Sequence, residues 1–173
     1  MRGKYHQQYA LAKHTSWHVG GLAQVCYFPA DLDDLVTCFR EGWLPKPYTF
    51  LGLGSNVLVR DGGVKGTVIV TLGGLQALEC ISPGVVSVQS GVTCAKFARF
   101  CASYGMHEAA FFSGIPGTMG GALAMNAGAF GGETWSNVIA VDRLSETGEL
   151  YDRLPQSFDV AYRQVRCLKN EKA

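Results

Sequence analysis

The sequence is short of charge. Asp, Glu, Lys and Arg make up 17% of its 173 residues, and the formal net charge is +1. A general nucleic-acid surface needs a basic stripe, so no nucleic-acid partner is expected. Long apolar runs are missing as well. No stretch approaches the roughly eighteen apolar residues of a membrane-spanning helix, so no membrane association is expected. The start, Met1-Arg-Gly-Lys-Tyr-His-Gln-Gln, is positive but carries no apolar core of a secretory signal, which points to a cytoplasmic location. Only four histidines occur, at 6, 14, 18 and 107, and they are scattered. The six cysteines, at 26, 38, 80, 94, 101 and 167, form no Cys-x-x-Cys and pair with no histidine at a zinc spacing, so no metal site is expected. They read as buried free thiols rather than disulfides, as in a reducing compartment.

What is present is globular. Hydrophobic residues make up 47% of the chain, and the length allows one domain or two small lobes sharing a ligand. Leu11 to Pro29 reads as two extended segments separated by Gly20-Gly21. Asp31 is an N-cap with Asp34 as its acidic partner, and Leu32, Leu35, Val36 and Phe39 make a helical stripe that Gly42 ends. Tyr48–Leu51, Val57–Val59 and Val68–Val70 read as strands. Leu75–Ile81 and Val85–Ser90 suggest a hairpin around Ser82-Pro83-Gly84. Thr93 caps a second helix with Phe97, Ala98 and Cys101 inward and Gly105 at its end. Val138–Leu144 and Glu149–Leu154 form another hairpin, turning at Glu146-Thr-Gly148. The fold class expected is α+β, with one helix in each half and lobes at 11–71 and 72–165. Residues 166–173 are expected to fray.

Glycine is the abundant type, at 22 residues. In Ser113-Gly-Ile-Pro-Gly-Thr-Met-Gly-Gly-Ala-Leu-Ala-Met-Asn-Ala-Gly-Ala-Phe-Gly-Gly132, seven of the twenty residues are glycine and none is charged. Flexible linkers are polar, and this run is not. Glycine lets backbone approach a flat surface and frees amides that cradle phosphate without a cation. The alternative is a structural turn with close helix–sheet contact. Gly52-Leu-Gly-Ser-Asn56, after a strand, offers a second amide nest, joined by Val57. It is neither Gly-x-Gly-x-x-Gly nor a Walker loop, and alone it fits a plain turn equally well. Two such segments suit a diphosphate held from two sides. Ser55 and Asn56 add neutral donors, Gly120-Gly121 lets backbone lie near a ring, and Ala122 keeps that wall thin. Asn126 either serves a heteroaromatic ring edge or takes a left-handed turn before Gly128.

His14-Thr-Ser-Trp-His-Val-Gly-Gly21, Leu51-Gly-Leu-Gly-Ser-Asn-Val-Leu58, Arg60-Asp-Gly-Gly63, Ser113-Gly-Ile-Pro-Gly-Thr-Met-Gly-Gly-Ala122, Asn126-Ala-Gly-Ala-Phe-Gly131 and Tyr162-Arg163 follow in order. Together they resemble the flavin-binding part of the UDP-N-acetylenolpyruvoylglucosamine reductase (UDP-N-acetylmuramate dehydrogenase) family, from about Leu11 to Arg163. The resemblance implies the two-lobed FAD-binding fold of the vanillyl-alcohol-oxidase type. It implies noncovalent FAD, NADPH as reductant, and a UDP-sugar enolpyruvyl ether as substrate in peptidoglycan precursor synthesis. No obligate protein partner is implied.

By the same resemblance, the cofactor would be held by Gly52, Leu53, Gly54, Ser55, Asn56 and Val57, and by Ser113, Gly114, Ile115, Pro116, Gly117, Thr118, Gly120, Gly121, Ala122 and Asn126. Tyr162 and Arg163 would meet the substrate, with the Arg163 guanidinium stabilising the carboxylate during catalysis. Two departures stand out. The family usually has arginine where His18 stands, which would make a contact near the flavin depend on pH. No segment here matches the C-terminal portion that carries the family's proton-donating serine and catalytic glutamate. These residues are therefore expected to hold FAD without turnover, as a fragment or after loss of frame near Val165.

Overall fold

Residues 1–168 are described by a computed structural model. Strands β1 (Lys4–Ala10), β2 (Leu22–Phe28), β3 (Tyr48–Leu51) and β4 (Val64–Val70) form one sheet in the order β1-β2-β4-β3. β1 is antiparallel to β2, whereas β2, β4 and β3 run parallel. Alternate side chains of a strand face opposite ways, and here both faces are covered. Cys26 and Val68 pack with Leu11, Leu51, Val59 and Val70 on one side. Tyr27 and Ile69 pack on the other side with Leu35, Cys38 and Phe39 of helix α1 (Leu32–Arg40).

The helix α1 begins and ends where its sequence dictates. The Asp31 carboxylate accepts the Asp34 amide at 2.9 Å, and Gly42 follows the helix at φ +64°. Asp34 itself does something the sequence does not announce. Its buried carboxylate accepts the amides of Arg2 at 2.6 Å and of Gly3 and Ala30 at 3.0 Å, and the hydroxyl of Tyr27. Burial pushes the Asp34 pKa up, but these donors outweigh it and hold the carboxyl below its ordinary range. They also tie the chain entering β1 to α1. The first unit therefore starts before Leu11, because Lys-Tyr-His-Gln-Gln-Tyr-Ala is too polar to betray a strand by apolar pattern.

Two further expectations are corrected. Leu11–His14 is a 3-10 turn rather than an extended segment. Val57–Val59 is not a strand: Val57 and Leu58 are exposed and only Val59 reaches the core. Residues 52–63 form an irregular connection between the parallel neighbours β3 and β4.

The second half opens with the expected hairpin, β5 (Leu78–Ser82) and β6 (Val85–Val88), with Gly84 in its turn at φ +79°. Helix α2 (Cys94–Ser103) follows its Thr93 cap, whose hydroxyl accepts the Lys96 amide at 3.3 Å. A third helix, α3 (Met119–Met125), lies inside the glycine-rich run, where no helix was expected. Then come β7 (Gly128–Ala129), β8 (Gly132–Glu133), the hairpin β9 (Val141–Leu144) and β10 (Leu150–Arg153), and the hairpin β11 (Phe158–Ala161) and β12 (Gln164–Cys167). Arg166 and Cys167 belong to β12, so the chain is ordered past the point where fraying was expected; residues 169–173 of that tail lie outside the described residues. Val92, Cys94, Ala98, Phe111, Phe112, Ile115, Met119 and Ala122 form the core of this half.

All six cysteines are free, and four of them are buried. Burial pushes the Cys26 and Cys94 thiols up to about 11. Among the described residues, no helix is long and apolar enough to cross a membrane, and no cluster of His, Cys, Asp and Glu is placed to hold a metal ion.

Candidate functional site

The two glycine-rich segments meet. Gly52, directly after β3, packs against the Thr118 side chain, and Gly117 faces Ser55, where an added Cβ would lie 3.8 Å from Oγ. Gly54 sits at φ +72°, a conformation glycine adopts freely. Its backbone lies against the His14 carbonyl and accepts the Ser16 amide at 3.1 Å. Nearby, Gly21 donates to the Arg60 carbonyl at 3.1 Å and Gly63 to the same oxygen at 2.9 Å. The segments starting at His14, Gly52, Arg60 and Ser113 therefore adjoin in series. Among the described residues, no backbone or side-chain acceptor takes the amides of Leu53, Gly54, Ser55, Asn56 or Val57. Five consecutive free donors in an irregular turn with one left-handed glycine have the makings of an anion nest.

The second segment is organised differently. Ser113 and Gly114 end a 3-10 turn, Ile115 and Ala122 are buried in the second core, and Pro116 is exposed. Thr118 is buried and caps α3: its Oγ1 accepts the Gly121 amide at 3.4 Å. The Met119 amide donates to the Val92 carbonyl at 2.8 Å and the Gly120 amide to the Ser90 carbonyl at 2.9 Å. These α3 amides are already used within the chain, so free donors come from the first segment. Gly120 has a structural reason to be glycine, since a Cβ there would lie 2.6 Å from Ser90 Cβ. Gly121 has none: a Cβ would meet only Thr118 Oγ1, at 3.6 Å. Gly121 is exposed, and it presents bare backbone on the open side of α3.

Asn126 takes the left-handed turn, at φ +43°, that ends α3. Its Nδ2 donates to Glu133 at 3.1 Å and its Oδ1 accepts the Trp135 amide at 3.1 Å. The side chain thus closes the loop that follows α3. Tyr162 and Arg163 form the exposed tip of the β11–β12 hairpin, with Arg163 at φ +53° and its guanidinium 5.5 Å from the Tyr162 ring centre. Among the described residues, no hydrogen bond or ion pair links this tip to the glycine segments. The hairpin is held near α3 through Trp135, which donates to the Leu123 carbonyl at 2.8 Å and lies 4.8 Å from the Phe158 ring. His18 is exposed at φ +54°.

Three contributions escaped the sequence reading. The Ser90 and Val92 carbonyls that seat α3 lie far from it in sequence, and nothing local marks them. His14 packs its backbone on Gly54, while its Nε2 lies 2.9 Å from the Tyr9 hydroxyl. Burial first, and Lys13 second, push the His14 pKa down. Trp17 is exposed although it lies one residue from the Gly54 contact, and only its size in a glycine-flanked turn could have drawn notice.

An arrangement of neutral amides beside bare backbone fits a nucleotide diphosphate carrying a flat ring. The comparisons with known proteins agree with it. The FAD binding domain family matches residues 23–152. A UDP-N-acetylenolpyruvoylglucosamine reductase of Coxiella burnetii (strain Dugway 5J108-111) is 47% identical over 99% of this chain and 60% of its own length. The protein of that name from Nitrosococcus oceani is 53% identical over 95% of this chain and 55% of its own length. The crystal structure of the Thermus caldophilus UDP-N-acetylenolpyruvylglucosamine reductase superposes with a TM-score of 0.70 at 27% identity, covering 95% of this chain and 57% of that one. The chain thus spans between half and two thirds of the length of these relatives. It has the α+β FAD-binding fold that its motifs implied, and it belongs to the FAD binding domain family, with UDP-N-acetylenolpyruvoylglucosamine reductases as its homologues along nearly its whole length.

Proposed function

We propose that this chain is the FAD-holding part of an NADPH-dependent reductase that converts UDP-N-acetylglucosamine enolpyruvate to UDP-N-acetylmuramate for peptidoglycan precursor synthesis in the cytoplasm. The observation that carries this reading is the free-amide turn Leu53–Val57 lying beside the capped start of α3. Noncovalent FAD would supply hydride transfer between NADPH and the enolpyruvyl double bond. The amides of Leu53–Val57 bind the diphosphate, because fixed backbone dipoles hold an anion without a lysine. The bare backbone at Gly121 lets the ring approach α3 closely. Arg163 meets the substrate carboxylate, and its permanent charge stabilises the anion that develops there. Tyr162, stacked beside it, orients the guanidinium.

The test is direct. The purified 173-residue protein is titrated with FAD and followed by flavin absorbance and fluorescence. Saturable binding of one FAD, released intact by acid, is expected. NADPH oxidation dependent on the enolpyruvyl UDP-sugar is expected only when the remaining portion of the relatives is supplied. A folded protein that ignores FAD would refute the proposal.

A further inference from the structure

The rim of the glycine site carries a large side chain that the fold leaves uncovered. Trp17 is 69% exposed. Two short bonds hold it outward. The Thr15 hydroxyl donates to the Val19 carbonyl at 3.1 Å, and the His18 amide donates to the Thr15 carbonyl at 3.1 Å. Thr15 is itself buried, so this tight turn has a fixed root. The Ser16 amide then donates to the Gly54 carbonyl at 3.1 Å, which fastens the turn to the free-amide segment. A buried threonine, three hydrogen bonds and a left-handed His18 fix the turn that carries this exposed indole, one residue from its contact with the free-amide segment. Leu53, Val57 and Leu58, in and just after the free-amide segment, are exposed as well.

Building on the proposed function, we infer that Trp17 is the stacking platform for the adenine end of the bound dinucleotide. The direction follows from the two ends of the site. The open backbone at Gly121 belongs to the second half of the chain and suits the larger isoalloxazine ring. The segment that carries the free amides touches both ends: Gly52 packs on the side chain of Thr118, which caps α3, and the Gly54 carbonyl accepts the amide of Ser16, the residue before Trp17. A diphosphate seated there sends its other base toward the first half, where Trp17 is an exposed ring one residue from the Gly54 contact. Purine stacking on an indole is strong and needs no hydrogen-bond partner, so an exposed ring suffices.

The experiment compares the full 173-residue wild type with Trp17→Ala and Trp17→Phe, using FAD, ADP and FMN as separate probes. Affinity is read by calorimetry, and tryptophan emission is read in the same titrations. Trp17→Ala is expected to weaken FAD and ADP alike, by roughly 5- to 150-fold, the range that base–aromatic stacking takes on alanine substitution. Trp17→Phe should retain most of that affinity. ADP alone should quench wild-type emission, and the quenching should vanish in Trp17→Phe. Circular dichroism and the melting temperature of the apo proteins check that all three are folded; the exposed position makes them near-identical. Unchanged FAD and ADP affinity in Trp17→Ala overturns the inference while leaving FAD binding intact. FMN, rather than ADP, responding to the substitution also overturns it, because Trp17 would then face the isoalloxazine. A wild type that binds none of the probes removes the underlying function as well.

Discussion

Gly120 and Gly121 are adjacent in sequence, yet one methyl group should affect them in opposite ways. Gly120→Ala places a Cβ 2.6 Å from Ser90 Cβ and 3.1 Å from the Ser90 carbonyl oxygen. Helix α3 must then lift from Ser90, and the 2.9 Å hydrogen bond from the Gly120 amide to the Ser90 carbonyl lengthens. Overpacking of this kind costs about 1–3 kcal/mol. Gly121→Ala adds a methyl 3.6 Å from its nearest neighbour, an ordinary contact, inside the first turn of α3. Removing glycine's backbone freedom there stabilises the flavin-free chain by about 0.5–1 kcal/mol. If the isoalloxazine lies on that backbone, the same methyl pushes it away. FAD affinity should then fall at least about tenfold, or ~1.4 kcal/mol. Thermal melts without flavin and FAD titrations by fluorescence separate the effects. The expected outcome is a lower melting temperature for Gly120→Ala, and a raised one with weakened FAD for Gly121→Ala. A Gly121→Ala protein that melts higher and binds FAD as tightly as wild type would refute the placement of the ring. Gly148 is unsuitable as a control because it sits at φ +79° against the Val36 carbonyl and Arg40. Gly62, with open space around it, serves instead.

Other outcomes follow from the same geometry. Asp34→Asn should cost about 2–4 kcal/mol in urea unfolding, because it breaks a buried carboxylate's set of donors. The folded pKa of Asp34 is depressed, so its contribution is complete above the unfolded value of about 3.9 and is lost as pH falls through the lower folded value. An acid-unfolding profile unaltered by Asp34→Asn would contradict this. In the native protein a thiol reagent should label Cys167 quickly and the half-buried Cys80 more slowly, leaving Cys26, Cys38, Cys94 and Cys101 protected until unfolding. Six fast thiols would overturn that order. Arg163→Ala should leave FAD affinity within about twofold, since a residue at an exposed hairpin tip away from structural contacts changes little. In a protein completed with the remaining portion of its relatives, turnover should drop by about 10²–10³.

The legible parts of the fold were those with local signals. Asp31 and Thr93 announced α1 and α2, and the glycines after each helix marked the ends. Turn residues located the β5–β6 and β9–β10 hairpins, but not β11–β12. β1 was illegible because its stability comes from pairing with β2 and from the Asp34 anchor, neither visible in a polar heptamer. Helix α3 was hidden for the opposite reason. Gly120-Gly121 oppose helix formation, and the carbonyls of Ser90 and Val92 override them from a distance. For the site, sequence identified two glycine runs but not their division of labour. One supplies free amides, while the other spends its amides on its own seat and offers a bare face. Asn126 shows the same limit: its residue type fitted two roles, and its bonds to Glu133 and Trp135 place it in the turn.

The anchoring of Arg2 and Gly3 on Asp34 has a practical side. A Cβ at Gly3 would collide with the Phe28 carbonyl, so the stretch entering β1 has no slack. An affinity handle fused at the front of this polypeptide would begin within two residues of a buried carboxylate. Its length and charge would pull on the edge strand, and vector-derived residues there would alter measured robustness before any experiment on the cofactor began.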